Sequence, residues 1–188
     1  MKFVSDNIGK QFSATSIVKF LKSQNTETSA KMILTYLDYL SNAFIIDRVN
    51  RYDIHGKRLF ELGDKFYFED LGIRNHIIGG KRRFDIEKVM ENAVYIHLCR
   101  IGYKVYVGQM YKAEIDFVAE KADSVAYVQV TYLLASEETV EREFGNLKLI
   151  KDSHPKYVIS MDKLYGQTNI DGIKHIHLRD FLKMTTLV

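Results

Sequence analysis

The chain of 188 residues holds one proline, one cysteine and no tryptophan. A lone thiol, Cys99, closes no internal disulfide, which excludes a small cross-linked scaffold and leaves stability to a packed core. Its setting in Val94-Tyr95-Ile96-His97-Leu98-Cys99-Arg100 reads as a buried helix position. No apolar run approaches the roughly 20 residues of a membrane-spanning helix. Met1-Lys2-Phe3-Val4-Ser5-Asp6 lacks the basic and then apolar order of a signal peptide. A cytoplasmic protein with no membrane partner is the expectation. An excess of one charge is missing too: the net charge is +3, with 11 basic against 9 acidic residues up to Gly80 and 16 against 15 beyond it. Neither half carries the basic surplus of a dedicated nucleic-acid binder. No Gly-x-x-x-x-Gly-Lys-Ser/Thr occurs. Gly79-Gly80-Lys81 has neither the spacing nor the hydroxyl to cradle nucleotide phosphates, so the chain is not itself an ATPase motor.

What is present is an apolar content of 46%, enough for a real core. Ile17, Phe20 and Leu21 recur at helical spacing, and after the possible N-caps of Asn25-Thr26-Glu27-Thr28-Ser29 so do Ala30, Ile33, Leu34, Leu37 and Leu40. The stretch 44–54, a turn at His55-Gly56 and Lys57 to Leu62 have the punctuation of a β-hairpin. Helix, helix, hairpin is the order of a winged helix-turn-helix. In a DNA-binding winged helix, Lys31 would stand on the groove-facing helix, and Arg48, Arg51, Lys57 and Arg58 would reach phosphates from the wing. Lys31 is joined on that helix face by Thr35, Asp38, Tyr39 and Asn42, a poor groove reader. Phe66, Tyr67 and Phe68 read as a strand packed on the helices. Gly79-Gly80 marks the domain boundary, giving 1–79 and 80–188, and Lys81-Arg82-Arg83 is a basic linker.

The second half begins with a helix from Phe84 to Ile101 whose apolar side carries Ile86, Val89, Met90, Ala93, Val94 and Leu98 and which Gly102 ends. Strands follow at Tyr103 to Gly108, Ala113 to Glu120 and Val125 to Tyr132. Ser136 caps another helix with Val140, Phe144, Leu147 and Ile150 on one face. Lys156 to Ser160 and Ile173 to His177 read as strands, and Leu178 to Met184 as a last helix. Helix, three strands, helix, strand, strand, helix is an α/β sandwich with a mixed sheet. His175 and His177 share a strand face, but no third ligand accompanies them, so packing is favoured over zinc for them, as for His97 and His154.

The chemistry concentrates in the central hairpin. Strand alternation puts Glu114 and Asp116 on one face and Ile115 and Phe117 on the other, and the turn can bring Asp116 near Gln129 and Thr131. The stretch resembles the core of the PD-(D/E)XK nuclease superfamily, in which a helix glutamate and strand acids hold a divalent cation while a lysine acts on its water. The resemblance implies Glu91, Asp116 and Gln129 as the catalytic and Mg²⁺-binding positions, with Mg²⁺ as cofactor if the site functions. Thr131 stands where the lysine belongs, and Gln129 offers an amide in place of an acid, so the site reads as degenerate. Lys148 on the following helix is a candidate for a displaced lysine.

Taken whole, the chain resembles the C-terminal region of a family of bacterial and archaeal AAA+ type ATPases, with a winged helix followed by a restriction-endonuclease-like domain. The segments that carry this are Leu40 to Lys57, Lys65-Phe66-Tyr67-Phe68-Glu69-Asp70-Leu71-Gly72-Ile73-Arg74-Asn75, Glu114 to Val118, Val128-Gln129-Val130-Thr131-Tyr132 and Pro155 to Asp162. It implies an accessory, regulatory or targeting module that partners an ATPase module, the chain being a fragment of a longer protein or a stand-alone remnant. Two alternatives remain open, a nucleic-acid-binding module without catalysis and a metal-dependent DNA endonuclease.

Overall fold

Serine side chains start three of the helices. Ser13, Ser29 and Ser136 each accept a hydrogen bond from the backbone N–H three residues on, at 3.2 Å in all three cases, satisfying a donor that the helix itself leaves orphaned. The computed structural model describes residues 1–60, 63–79, 85–111, 113–163 and 169–187. Its first part holds α1 (Lys2–Asp6), α2 (Ala14–Ser23), α3 (Ala30–Asn42), β1 (Ile46–Val49), β2 (Arg51–Asp53), β3 (Arg58–Leu59), β4 (Lys65–Phe68) and α4 (Leu71–Ile78). Then come α5 (Ile86–Arg100), β5 (Lys104–Met110), β6 (Ala113–Lys121), β7 (Ser124–Val130), α6 (Glu137–Lys148), β8 (Lys156–Ser160), β9 (Asn169–Ile170), β10 (Ile173–His177) and α7 (Leu178–Phe181). Among the described residues no helix is long and apolar enough to cross a membrane.

The fold is α+β with a mixed sheet. Eight strands run in the order β3-β2-β5-β6-β7-β8-β10-β9, and β1 and β4 form a separate antiparallel pair. β5, β6 and β7 are an antiparallel meander, whereas β7–β8 and β8–β10 are parallel. One face of the large sheet packs Val107, Phe117, Ala119 and Val128 against Val94, Tyr95 and Leu98 of α5 and Phe181 of α7. The other packs Tyr106, Ile115, Val118 and Val158 against Phe144 and Leu147 of α6. A third cluster joins α1 to α3 with β1 and β4 through Val4, Ile17, Ile33, Leu37, Ile46 and Phe66.

Several expectations are corrected. Of the hairpin predicted over 44–62, the described residues pair Tyr52 with Leu59 and Asp53 with Arg58, and Phe60 N–H donates to the Arg51 carbonyl. At Asn50 the strand changes partner: β1 lies against β4, while β2 joins the large sheet parallel to β5, so strands from before and after residue 80 share one sheet. Glu61, Leu62, Gly80 and the basic triplet at 81–83 lie outside the described residues, as does Phe84. α1 and α4 were not foreseen. Ala30 and Leu34 are exposed although their spacing placed them inward, because α3 buries only Ile33 and Leu37 fully. Ile86 is likewise exposed at the start of α5. Cys99, expected to be buried, is exposed with Arg100 on the outward side at the end of α5. α7 ends at Phe181, and Met184 closes a turn onto its carbonyl.

Candidate functional site

The predicted face assignment fails at Phe117 for a definable reason. β5 and β6 pair Tyr106 with Val118 and Gly108 with Ile115, so Asp116 and Phe117 together oppose Val107. This is a β-bulge, which shifts the alternation by one residue and re-aims the side chains around it. Ile115 and Phe117 therefore enter opposite cores, the first under α6 and the second under α5. Beyond Phe117–Val128 the β6–β7 ladder stops, and the strands fork: β6 continues against β5 and β7 against β8.

Side chains close the fork. Val130 N–H donates to Asp116 Oδ2 at 2.8 Å, and Asp116 N–H donates to Gln129 Oε1 at 3.3 Å. Two of the three predicted ligands are thus joined to each other's strand as a reciprocal clasp. Thr131 is buried, and its backbone N–H donates to Ile159.

Glu91, on α5, meets this region from above. Its Oε1 accepts from Tyr67 Oη at 2.5 Å and from Lys65 Nζ at 3.4 Å, and Lys65 Nζ also lies 2.7 Å from Glu114. Lys65 and Tyr67 belong to β4, where alternation turns Phe66 and Phe68 to the helical cluster and leaves these two facing α5 and β6. Lys65 is only 4% exposed. Burial disfavours its charge, but Glu91, Asp116 and Glu114 outweigh that and hold the ammonium above its ordinary pKa. Asp116 is pushed well above the usual carboxylate range by burial first and by the charge of Glu91 second, against Lys65 and the Val130 N–H. Glu91 is raised by burial as well, with Lys65 and Tyr67 opposing. Glu143 of α6, buried and paired with Arg142 at 2.7 Å, adds a further repulsive charge toward Asp116.

The structure thus brings Glu91, Asp116 and Gln129 into one polar cluster. Lys65, Tyr67 and Glu143 belong to it too and were missed. A lysine alternating with a tyrosine in an otherwise aromatic strand was the available signal for the first two. Lys148, the candidate displaced lysine, instead pairs with Asp171 at 2.7 Å. The residues present do not fit a divalent ion: among those described, no group of three or more acidic, histidine or cysteine side chains is arranged to hold one. Asp116 Oδ2 and Gln129 Oε1 are committed to backbone donors, and Lys65 sits on the glutamates.

The basic candidates are mostly engaged within the chain. Arg48 pairs with Asp38 at 3.0 Å, Arg58 with Asp53 at 3.5 Å, and Arg51 donates to Gln109. Lys31 and Lys57 are exposed. His175 is buried with its Nε2 2.7 Å from Ser160 Oγ, His177 caps α7 by accepting from Arg179 N–H, and His97 Nε2 meets the Met184 carbonyl. An apolar groove of about 590 Å³ lies between α1, α2 and α3, lined by Phe3, Phe20, Met32 and Tyr36 among others and by no member of the polar cluster.

Comparison with known proteins adds kinship without a function. The profile of a family described as "Domain of unknown function (DUF8612)" matches residues 1–83. An uncharacterized protein of Haemophilus influenzae is 41% identical over 180 residues, covering 96% of this chain and 44% of that protein. The uncharacterized protein MJ1544 of Methanocaldococcus jannaschii is 26% identical over 176 residues, covering 88% of this chain and 38% of its own length. The chain therefore spans less than half the length of these curated relatives. No solved structure matches.

Proposed function

We propose that the chain is an accessory module, regulatory or targeting in role, of a longer cytoplasmic protein of the AAA+ ATPase type. In this reading its first half is winged-helix-like, and its second half is nuclease-like with a polar cluster that holds the fold and does not hydrolyse. The clasp carries the reading. The two strand positions at which a nuclease of this kind needs cation ligands are hydrogen-bonded to backbone amides, and burial, by raising the pKa of Asp116, weakens it as a cation ligand. The greater length of the relatives and the exposed apolar side chains Met32, Tyr36, Tyr39 and Phe44 support docking to another protein or module.

One observation favours a second reading, the metal-dependent endonuclease. Lys65 supplies, from β4, the ammonium that β7 lacks at Thr131. Nucleic-acid binding without catalysis has less support, since Arg48, Arg51 and Arg58 already have partners in the chain. Supercoiled plasmid incubated with the protein in Mg²⁺ or Mn²⁺ separates these readings. The accessory reading expects no nicking beyond that of Asp116→Ala. Nicking that disappears in both Asp116→Ala and Lys65→Met establishes the endonuclease, and salt-sensitive duplex retention without nicking establishes the binding module.

A further inference from the structure

α3 carries two apolar stripes. Ile33, Leu37 and Leu40 pack into the helical cluster. Met32, Tyr36, Tyr39 and the C-cap residue Ala43 form a second stripe that is exposed, Tyr36 by 54% and Tyr39 by 63%. Their spacing of four, three and four residues is that of a coiled-coil seam, a line of apolar side chains along one side of a helix that is buried against another helix. We propose that this seam joins two copies of the chain, α3 of one packing antiparallel on α3 of the other about a two-fold axis. The contact deepens the accessory reading, on which it rests, by naming what covers the exposed side chains of α3.

Three observations favour a second copy over an unrelated helix. The seam reads the same in both directions, as a two-fold contact requires. Antiparallel pairing sets Tyr36 against Tyr39 and Met32 against Ala43, so a long side chain meets a short one at each end and every contact occurs twice. The chain also carries a knob and a hollow that fit this pairing. Phe44 follows the helix at φ 54°, its N–H donating to the Ser41 carbonyl and the Ile45 N–H donating to the Leu40 carbonyl. Glycine is usual at this position of a helix-ending turn, because a side chain is strained there. Here a phenyl ring takes the strain and is held 76% exposed. The hollow is the apolar groove of about 590 Å³, lined by Met32, Tyr36 and Tyr39 of the seam and by Phe3, Phe20 and Leu21 across from it. In the antiparallel pairing Phe44 of the second copy lies beside Met32, at the end of this groove. Lastly, the area suffices. A buried aromatic side chain hides about 150–250 Å². The exposed parts of Tyr36, Tyr39 and Phe44 thus supply about 300–500 Å² of the roughly 800 Å² that each partner buries in a specific interface. Lys2 and Glu27 also line the groove, one charge of each sign, so two copies meet without a surplus of like charge.

Sedimentation equilibrium of the unaltered chain across micromolar concentrations is expected to show twice the monomer mass. Tyr36→Glu is expected to weaken the pairing at least tenfold with an unchanged far-ultraviolet circular dichroism spectrum, since Tyr36 is more than half exposed in the single chain. Adding Tyr39→Lys, which sets an ammonium against the new carboxylate on both sides of the axis, is expected to regain most of that loss. Phe44→Gly is expected to weaken the pairing at least tenfold as well, while the thermal midpoint of the dilute, monomeric protein holds or rises because the turn is relieved. A monomer at every concentration overturns the proposal, as does a dimer that Tyr36→Glu or Phe44→Gly leaves unchanged, or a double variant that regains nothing. Should Tyr36→Glu fail to fold, Phe44→Gly decides alone: weaker pairing upholds the contact and equal pairing overturns it. A monomer whose salt-sensitive retention of duplex is lost in Tyr36→Glu makes α3 a nucleic-acid face and overturns the proposal too. A monomer with neither nicking nor duplex retention sinks the two-fold contact alone, whereas plasmid nicking that Asp116→Ala abolishes sinks the accessory reading whatever the mass.

Discussion

Replacing Asp116 by alanine and by asparagine separates a clasp from a cation ligand. In the alanine variant the Val130 N–H, now 2.8 Å from Asp116 Oδ2, loses its acceptor at the fork where no strand partner replaces it. A buried donor left unpaired costs about 1–3 kcal/mol. At about 2–4 °C per kcal/mol for a chain of this size, the midpoint should fall by roughly 2–12 °C. Asparagine keeps an acceptor of the same reach and is neutral at every pH, so its effect at pH 7 should stay within about 1 kcal/mol. The pH dependence carries the sign. Asp116 binds its proton more tightly in the folded than in the unfolded chain, so its contribution is complete below the ordinary aspartate range and is lost as pH climbs through the raised folded value. Asparagine removes that decline. Urea unfolding of the three proteins at pH 5 and pH 8 gives the answer. The reasoning is refuted if asparagine destabilises as much as alanine, or if alanine costs nothing.

Asn92 is fully buried and grips Phe68 from both sides, donating to its carbonyl at 2.8 Å and accepting from its N–H at 2.9 Å. Asn92→Ala should cost about 2–6 kcal/mol by urea unfolding, two backbone groups each losing about 1–3 kcal/mol, and a loss below about 1 kcal/mol contradicts the packing described. Glu69 is raised from 4.5 to about 7 by burial first and by its bond to Asp47 second, so its stabilising share is full below pH 4.5 and disappears as pH rises to about 7. Glu69→Gln should flatten the stability–pH curve across that window, and an unchanged curve rejects the pairing. Gly9→Ala should lower the midpoint more than Gly79→Ala. Both glycines have positive φ, at 68° and 74°, but only at Gly9 does a Cβ strike Glu91, and at Gly79 it meets nothing within 4 Å.

Much of the second half was legible because its signals are local. α5, the three-strand meander, the Ser136-capped α6, β8 and β10 all lie where apolar spacing and punctuation put them, and Phe144, Leu147 and Ile150 are buried as their helical spacing required. The mixed sheet followed from that order. What escaped depends on contacts distant in the chain. Strict alternation could not reveal the bulge at Asp116, because two residues share one partner there and only the register against β5 shows it. A hairpin is the economical reading of 44–62, yet β1 and β2 have different partners, β4 and β5, which no spacing encodes. The same distance hid Lys65. Its ammonium reaches Glu91, 26 residues on, and Glu114 further still, whereas nearness in the chain to Thr131 points to Lys148, which pairs with Asp171 instead. Cys99 was misplaced because a short apolar window does not say which side of a helix faces outward at its last turn.

The carboxyl ¹³C shift of Asp116, read by NMR at pH 7 with and without Mg²⁺, bears most directly on whether the fork is a structural clasp. A protonated-acid shift that persists above the ordinary aspartate range and is unmoved by millimolar Mg²⁺ is the expected result. An ionised carboxylate at pH 7 whose signal moves on adding Mg²⁺ contradicts it.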